Sequence, residues 1–246
     1  MAKTIIYGIH AVDSAIRNDP HNLGSIWIEQ RTRNERLREL QKTITHSGLH
    51  TLQATAQQLD RMATGARHQG IVAEYFRGQT YTENDLYDLL DKLQDTPFLL
   101  ILDGVTDPHN LGACLRTADA VGVQAVIAPK DNAVGLTPTV RKVASGAAET
   151  VPFIPVTNLV RTLDNLKERG IWLTGTSDKA TENLYQVNFK GPMALVMGAE
   201  DKGIRRLTEE RCDFLVAIPM LGQVSSLNVS VASGVCLYEA LRQRQS

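Results

Sequence analysis

The sequence has few cysteines, almost no net charge and no long apolar run. Each shortage removes a class of explanation. Its three cysteines, Cys114, Cys212 and Cys236, are far apart, with no CxxC and no nearby His pair. A disulfide framework and a zinc site are both unsupported by that spacing, and no His/Cys/carboxylate cluster suggests any other metal. The expectation is small buried thiols in a reducing compartment. No apolar stretch approaches the roughly 20 residues needed to span a bilayer, and the opening Met1-Ala-Lys-Thr lacks the apolar core of a secretion signal. A soluble, cytoplasmic chain without a membrane partner is expected. The formal net charge is -1, so the strongly basic balance common in nucleic-acid proteins is missing. Any surface for nucleic acid must be local.

What the sequence does have is a 43% apolar fraction over 246 residues. That is enough for a sizeable core, in one large domain or in a small one plus a medium one. Residues 1–75 read as a small α/β unit. A strand ends in a turn at Gly8 and a helix follows near 10–17. Ser25–Glu29 reads as a strand. Leu37, Leu40 and Ile44 recur on one face of a helix over 34–47, which Gly48 stops. Leu49–Ala54 is a strand, Ala56–Met62 a helix and Gln69–Tyr75 a strand. Residues 76–96 turn polar and read as a linker, with a short helix begun by Thr82 and Asp85 as a capping box. From residue 97 to 246 apolar runs alternate with helical segments. The runs are Phe98–Leu102, Ala125–Ala128, Val151–Pro155, Ile171–Gly175, Ala194–Gly198 and Phe214–Ile218. The helices fall near 109–121, 137–145, 158–169, 204–211 and 226–243. Continuous apolar strands between helices indicate a parallel sheet covered on both faces. The last helix carries Val231, Val235 and Leu237-Tyr238 in a stripe broad enough for its own sheet and a partner subunit.

Charge is uneven in the N-terminal unit. Arg31, Arg33, Arg36, Arg38 and Lys42 crowd one helix and its approach, and five of the six histidines precede residue 70. The plain structural reading is a solvated helix face. The functional one is a patch that contacts phosphates without reading sequence. Thr64-Gly-Ala-Arg67-His68-Gln-Gly70 is a Gly-bracketed polar loop in which Arg67 and His68 either meet RNA or decorate a turn.

Three loops at strand ends share one pattern of glycine, proline and small polar residues. Asn110-x-Gly112-x-x-x-Arg116 follows a Thr-Asp-Pro-His turn off the first strand of the C-terminal domain. Taken alone it reads as a capped helix whose Arg116 pairs with Asp119 or a carbonyl, on a broad face with Leu111. In Met197-Gly198-Ala-Glu200-Asp-Lys-Gly203, Gly198 permits close backbone approach or a sharp turn. Glu200 is either a helix N-terminal acid or a carboxylate that orients an arginine. In Ile218-Pro-Met220-Leu-Gly-Gln-Val-Ser-Ser226-Leu227-Asn228-Val229, the backbone can hydrogen-bond an adenine edge, or Ser226 simply caps a helix. Ligands of open α/β sheets sit beyond the carboxyl ends of the strands, and three polar-ended loops there suit one small-molecule pocket. The G-x-G-x-x-G fingerprint of a nicotinamide site is missing.

These three stretches resemble the signature motifs of the SpoU (TrmH-like) 2'-O-ribose methyltransferases of the SPOUT superfamily. Asn110 and Arg116 match the first motif, Gly198 and Glu200 the second, Ser226 and Asn228 the third. The likeness runs from about residue 98 to the end. Residues 1–75, closing on His68-Gln-Gly-Ile-Val-Ala, resemble the family's ribosomal-protein-like RNA-binding domain. The resemblance implies S-adenosylmethionine as methyl donor, a parallel-sheet SPOUT domain with a trefoil knot, a homodimer, and large-subunit (23S) ribosomal RNA methylated on a guanosine ribose. It implies main-chain contacts to the cofactor from Gly198, Ile218 and Leu227, with apolar walls from Met197, Met220 and Val229. It implies catalytic roles for Asn110, Arg116, Glu200, Ser226 and Asn228. A guanidinium is normally protonated. Arg116 therefore either binds a phosphate and steadies the developing alkoxide, or is held as a base by Asn110, Glu200 and Ser226, some from the other subunit. Transfer RNA as substrate and a non-catalytic ribosome-assembly factor are the competing readings.

Overall fold

The computed structural model describes residues 2–246 apart from 19, 31, 33, 78, 79 and 201, and the side chains of all of these except 2, 18, 21 and 77. The chain divides into two compact units, residues 1–79 and 80–246.

The first unit runs β1 (Ala2–Tyr7), α1 (Ile9–Asn18), β2 (Leu23–Glu29), α2 (Glu35–His46), β3 (Thr51–Ala54), α3 (Ala56–Met62) and β4 (Ile71–Arg77). Its sheet has the order β1-β4-β2-β3. β4 is antiparallel to both neighbours, and β3 is parallel to β2. Side chains alternate across a strand, so β4 feeds two small cores. Ile71 and Ala73 pack with Ile26, Ile28 and the buried Leu37, Leu40 and Ile44 of α2. Val72 faces Leu59 of α3 on the other side. Thr55 and Gln58 form a capping box at α3, and Gly48 stops α2 at φ 68°.

The second unit runs α4 (Glu83–Lys92), β5 (Phe98–Asp103), α5 (Pro108–Val121), β6 (Ala125–Pro129), α6 (Pro138–Ala144), α7 (Ala147–Thr150), β7 (Phe153–Val156) and α8 (Leu159–Glu168). It continues with β8 (Trp172–Thr176), β9 (Glu182–Asn183), β10 (Met193–Gly198), α9 (Arg206–Glu209), β11 (Phe214–Ala217) and α10 (Val229–Arg244). The sheet order is β7-β6-β5-β10-β8-β11-β9, and every pairing is parallel. Helices cover both faces. Leu100, Leu102, Val126, Leu195 and Met197 pack under α5 and α10. Leu99, Ile101, Ile127, Ala194 and Val196 pack with Leu159, Leu163 and Leu166 of α8. A fully buried Leu or Ile contributes about 1.5–3 kcal/mol relative to an exposed one. β5 has all six residues buried and so lies at the centre of the unit's stability.

The helix expected inside a 76–96 linker is bound into this unit. α4 buries Leu86 completely among the side chains of α8 and the sheet. Its Glu83 accepts from Thr162 at 3.0 Å and pairs with Arg161 at 2.8 Å. Gly112 lets α6 lie against α5: a Cβ there would fall 2.6 Å from that of Val143. Because the sheet is parallel, the loops after β5, β8, β10 and β11 all leave from the same edge. β10 enters between β5 and β8, and β11 returns to the far side of β8. The loops carrying the second and third motifs therefore share that edge with the first.

Candidate functional site

Each motif is delivered by a different local device. Beyond β5, Asp107 caps α5 by accepting from the His109 N–H at 2.9 Å, and Pro108 occupies the first turn. Asn110 thereby enters the first turn of α5, 8% exposed. Beyond β10 the chain folds back on itself: the Ala199 N–H donates to the Gly203 carbonyl at 3.1 Å, and the Gly203 N–H donates back at 2.8 Å. A Cβ on Gly198 would lie within the Gly203–Ile204 backbone, so only glycine permits this fold. Glu200 sits in the resulting loop. Beyond β11, Asn228 caps α10, its Oδ1 accepting from the Ser230 N–H at 2.9 Å.

The three meet. The Asn110 amide donates to Glu200 Oε1. The Asn228 amide donates to the same oxygen at 3.2 Å and to Asn110 Oδ1 at 3.1 Å. One carboxylate oxygen thus fixes two amides. Asn228 is fully engaged, its Oδ1 also accepting from the Ser230 hydroxyl at 2.6 Å, while Asn110 keeps one N–H and one lone pair for a ligand. Behind them, Cys114 Sγ donates to Ser233 Oγ at 3.6 Å, tying α5 to α10. Burial pushes the Cys114 thiol up to about 11; the Ser233 bond works the other way, and the Glu200 charge adds to the rise. This cysteine is packing, not a nucleophile.

Against the cluster lies a cavity of about 670 Å³, within the roughly 300–1,000 Å³ usual for small-molecule sites. Met197, Gly198, Ile218, Met220, Leu227 and Val229 all line it, together with Glu200 and Ser226. Asn110, Arg116 and Asn228 are not among its lining residues.

Arg116 stands apart. It is exposed on α5 and makes no hydrogen bond or ion pair among the described residues. Six residues along a helix place it about 9 Å from Asn110 and on a different face. The pairing with Asp119 considered from the sequence is not made, since Asp119 accepts from the Thr150 hydroxyl at 2.5 Å. Nor does Arg116 share a face with Leu111, which is 1% exposed. Ser226 does not cap α10; Asn228 does, and Ser226 is an exposed part of the preceding loop.

In the first unit, Arg67 is exposed and His68 half-buried, and both line a surface cleft of about 570 Å³ with Thr32, Asn34 and Asp60. His68 is built into its loop. Its Nδ1 accepts from the Gly70 N–H at 3.0 Å, which leaves Nε2 to donate to Asp60 at 3.1 Å. Arg31 and Arg33 lie outside the described residues.

Sequence reading missed one wall of the cavity. Thr176, which ends β8, and Ser177, Asp178 and Lys179 just beyond it line the cavity as well. An apolar strand ending in four small or polar residues was the available signal. Among the described residues, no helix is long and apolar enough to cross a membrane.

Comparison with known proteins gives concordant results. Residues 97–238 match the SpoU rRNA Methylase family, and residues 5–81 match the RNA 2'-O ribose methyltransferase substrate binding family. The chain is 55% identical over 242 residues to the 23S rRNA (guanosine-2'-O-)-methyltransferase RlmB of Shewanella oneidensis, covering 98% of each chain. It is 54% identical over 239 residues to the RlmB of Pseudomonas aeruginosa, covering 97% of this chain and 96% of that one. Among solved structures, the SpoU methyltransferase AviRb from Streptomyces viridochromogenes, in complex with the cofactor AdoMet, aligns at TM-score 0.65. The identity there is 23%, over 99% of this chain and 91% of that one, a likeness of fold. The TrmH/SpoU tRNA modifying enzyme of A. aeolicus aligns at TM-score 0.57 and 34% identity, over 66% of this chain and 82% of that one.

Proposed function

The chain belongs to the SpoU rRNA methylase family, and on that premise we propose that it transfers a methyl group from S-adenosylmethionine to the 2'-oxygen of a guanosine ribose in 23S ribosomal RNA. One observation carries this reading: Asn110, Glu200 and Asn228, far apart in the chain, share hydrogen bonds beside the cavity that all six cofactor candidates line. Curated relatives of that activity match nearly the whole chain.

The cavity suits the cofactor. Gly198 leaves bare backbone, Met197, Ile218 and Val229 give apolar walls, and the loop before Asn228 brings polar main chain. Gly198, Ile218 and Leu227 would hold it through main-chain groups, with Met220 closing the apolar side. When bound, S-adenosylmethionine supplies an electrophilic methyl carbon. The protein's own task is to place a hydroxyl, a poor nucleophile until its proton is shared or removed, in line with that carbon. Asn110, held by Glu200 and Asn228, orients the ribose. Arg116 keeps its proton, binds the adjacent phosphate and steadies the charge growing on the 2'-oxygen. Solvent or phosphate takes the proton. Ser226 offers its hydroxyl from the cavity rim.

RNA is received by the N-terminal unit, with Arg67, Arg31 and Arg33 as phosphate contacts and His68 shaping the loop that presents Arg67. The protein works in the cytoplasm as a homodimer. Val231 and Tyr238, 52% and 53% exposed on α10, form the apolar stripe for the partner. The C-terminal unit carries the trefoil knot that the family implies. The test is transfer from labelled S-adenosylmethionine into separate ribosomal and transfer RNA pools from cells lacking the protein. Alkali-resistant label at one 23S dinucleotide supports the reading. Label in transfer RNA alone moves the substrate, and RNA binding without label favours an assembly factor.

A further inference from the structure

The last residue of β5 carries a buried charge that the reaction described above does not use. Asp103 is hydrogen-bonded in register with Gly198 at the edge where both strands end, and its side chain is 0% exposed. All its named partners come from one residue. The Arg205 backbone N–H donates to Oδ2 at 3.0 Å, Nε donates to Oδ1 at 2.7 Å, and Nη2 pairs with Oδ1 at 2.5 Å. The Arg205 side chain is 49% exposed on its outer side. A buried carboxylate is costly unless paired and hydrogen-bonded, so this pair persists only where its geometry is well kept.

What the pair spans is the loop of the second motif. Residues 199–204 begin at Gly198, which the sheet fixes, and end at Arg205, which Asp103 fixes. The Ala199–Gly203 bonds close the loop between those two anchors. Asp103 also begins the segment 104–107 that leads to Asn110. One carboxylate therefore staples the loop bearing Glu200 to the end of the strand from which the chain runs into α5 and Asn110. The same loop supplies Gly198, Glu200, Gly203 and Ile204 to the cavity wall.

We propose that Asp103 and Arg205 are positioning residues for methyl transfer: their ion pair sets the height of the 199–204 loop against the cavity and so places both the cofactor wall and Glu200. The inference rests on the function proposed above. It predicts a loss of cofactor affinity and turnover without loss of the fold.

The test uses the full-length chain as wild type, Arg205→Lys and the double variant Asp103→Asn/Arg205→Met. The double variant leaves no orphaned charge in the interior, and its asparagine keeps an acceptor for the residue-205 N–H. It should melt close to wild type. In the ligand-free protein, amide exchange at Ala199 and Gly203 should quicken by at least about tenfold while β5 and β10 stay protected. The S-adenosylmethionine Kd should rise at least about tenfold, and kcat should fall with it. Arg205→Lys, with the charge but not the planar fork, should lie between. Unchanged exchange at both amides, or an unchanged Kd in the double variant, overturns the proposal. So does an affinity loss equal in all variants that merely follows a drop in melting temperature. The exchange measurement judges the staple alone. A wild-type protein that binds no S-adenosylmethionine instead overturns the functional reading, and this inference with it.

Discussion

Replacing Gly198 by alanine adds a single methyl, and its consequences can be worked through. The residue ends β10 in register with Asp103, and the new carbon would overlap the Gly203–Ile204 backbone. No side-chain rotation relieves a clash with main chain. The sheet side cannot yield, because β10 is held between β5 and β8. The 199–204 loop has to move instead. Moving it strains or breaks the two Ala199–Gly203 hydrogen bonds, each worth about 0.5–1.5 kcal/mol net. Overpacking of this kind costs typically about 1–3 kcal/mol. At about 1.4 kcal/mol per tenfold, that corresponds to about a 5- to 150-fold weaker grip on any ligand seated on the loop. The melting temperature should fall too, by about 2–4 °C per kcal/mol for a unit of this size. Titration calorimetry with S-adenosylmethionine, beside a thermal melt, measures both. Gly191→Ala, outside the cavity lining, is the control: a Cβ there meets nothing within 4 Å, and its affinity should match wild type. A Gly198→Ala protein that binds S-adenosylmethionine as tightly as wild type would refute the reasoning.

Other predictions follow from the same structure. Asn228→Ala removes both the α10 cap, costing about 1 kcal/mol of stability, and the bridge to Asn110 and Glu200, whereas Asn228→Ser keeps a cap and loses the bridge. Both should lose turnover, and only the first should lower the denaturation midpoint. Burial pushes Cys212 and Cys236 to about 12. Because the thiolate is the reactive form, native protein at mild pH should react with a thiol reagent at least about a hundredfold more slowly than unfolded protein; prompt labelling contradicts the packing. The Arg242 hydrogen bond and charge hold Glu239 down to about 2. Its stabilisation is therefore present above the unfolded carboxylate value near about 4.3 and is lost as pH falls from there towards about 2. Acid titration of Arg242→Gln should show a smaller loss over that window. RNA affinity, resting on local patches, should give a shallow salt dependence of a few phosphate contacts; a slope as steep as about ten contacts would contradict it.

Much of the architecture was legible because it is written locally. The runs Phe98–Leu102, Ala125–Ala128 and Ala194–Gly198 fall within observed strands, since a strand buried on both faces has to be apolar throughout. Leu37, Leu40 and Ile44 are buried as their spacing required, and Thr82 with Asp85 forms its capping box. Loop residues were less legible where tertiary contacts decide. Arg116 turns to solvent because Leu111, Cys114 and Leu115 claim the inner face of α5. The last helix begins at Val229, not Ser226, because the Asn228 side chain closes its first turn. The apolar stripe of α10 divides, Leu237 inward and Val231 and Tyr238 outward. Strand order was beyond reach. The place of β10 between β5 and β8 depends on pairings with residues 95 positions away in β5 and 21 away in β8, and no local pattern records them. The Thr176–Lys179 wall and the Asp103–Arg205 pair were hidden for the same reason.

The most direct measurement is single-turnover methylation of 23S ribosomal RNA by Asn110→Ala, with S-adenosylmethionine affinity taken on the same sample. The account predicts near-normal cofactor binding, because Asn110 lies outside the cavity lining. It predicts methyl transfer at least about a hundredfold slower, because the ribose has lost its orienting amide. Wild-type transfer by the variant, or equal loss of binding and transfer, would contradict the assignment of this cluster as the reacting site.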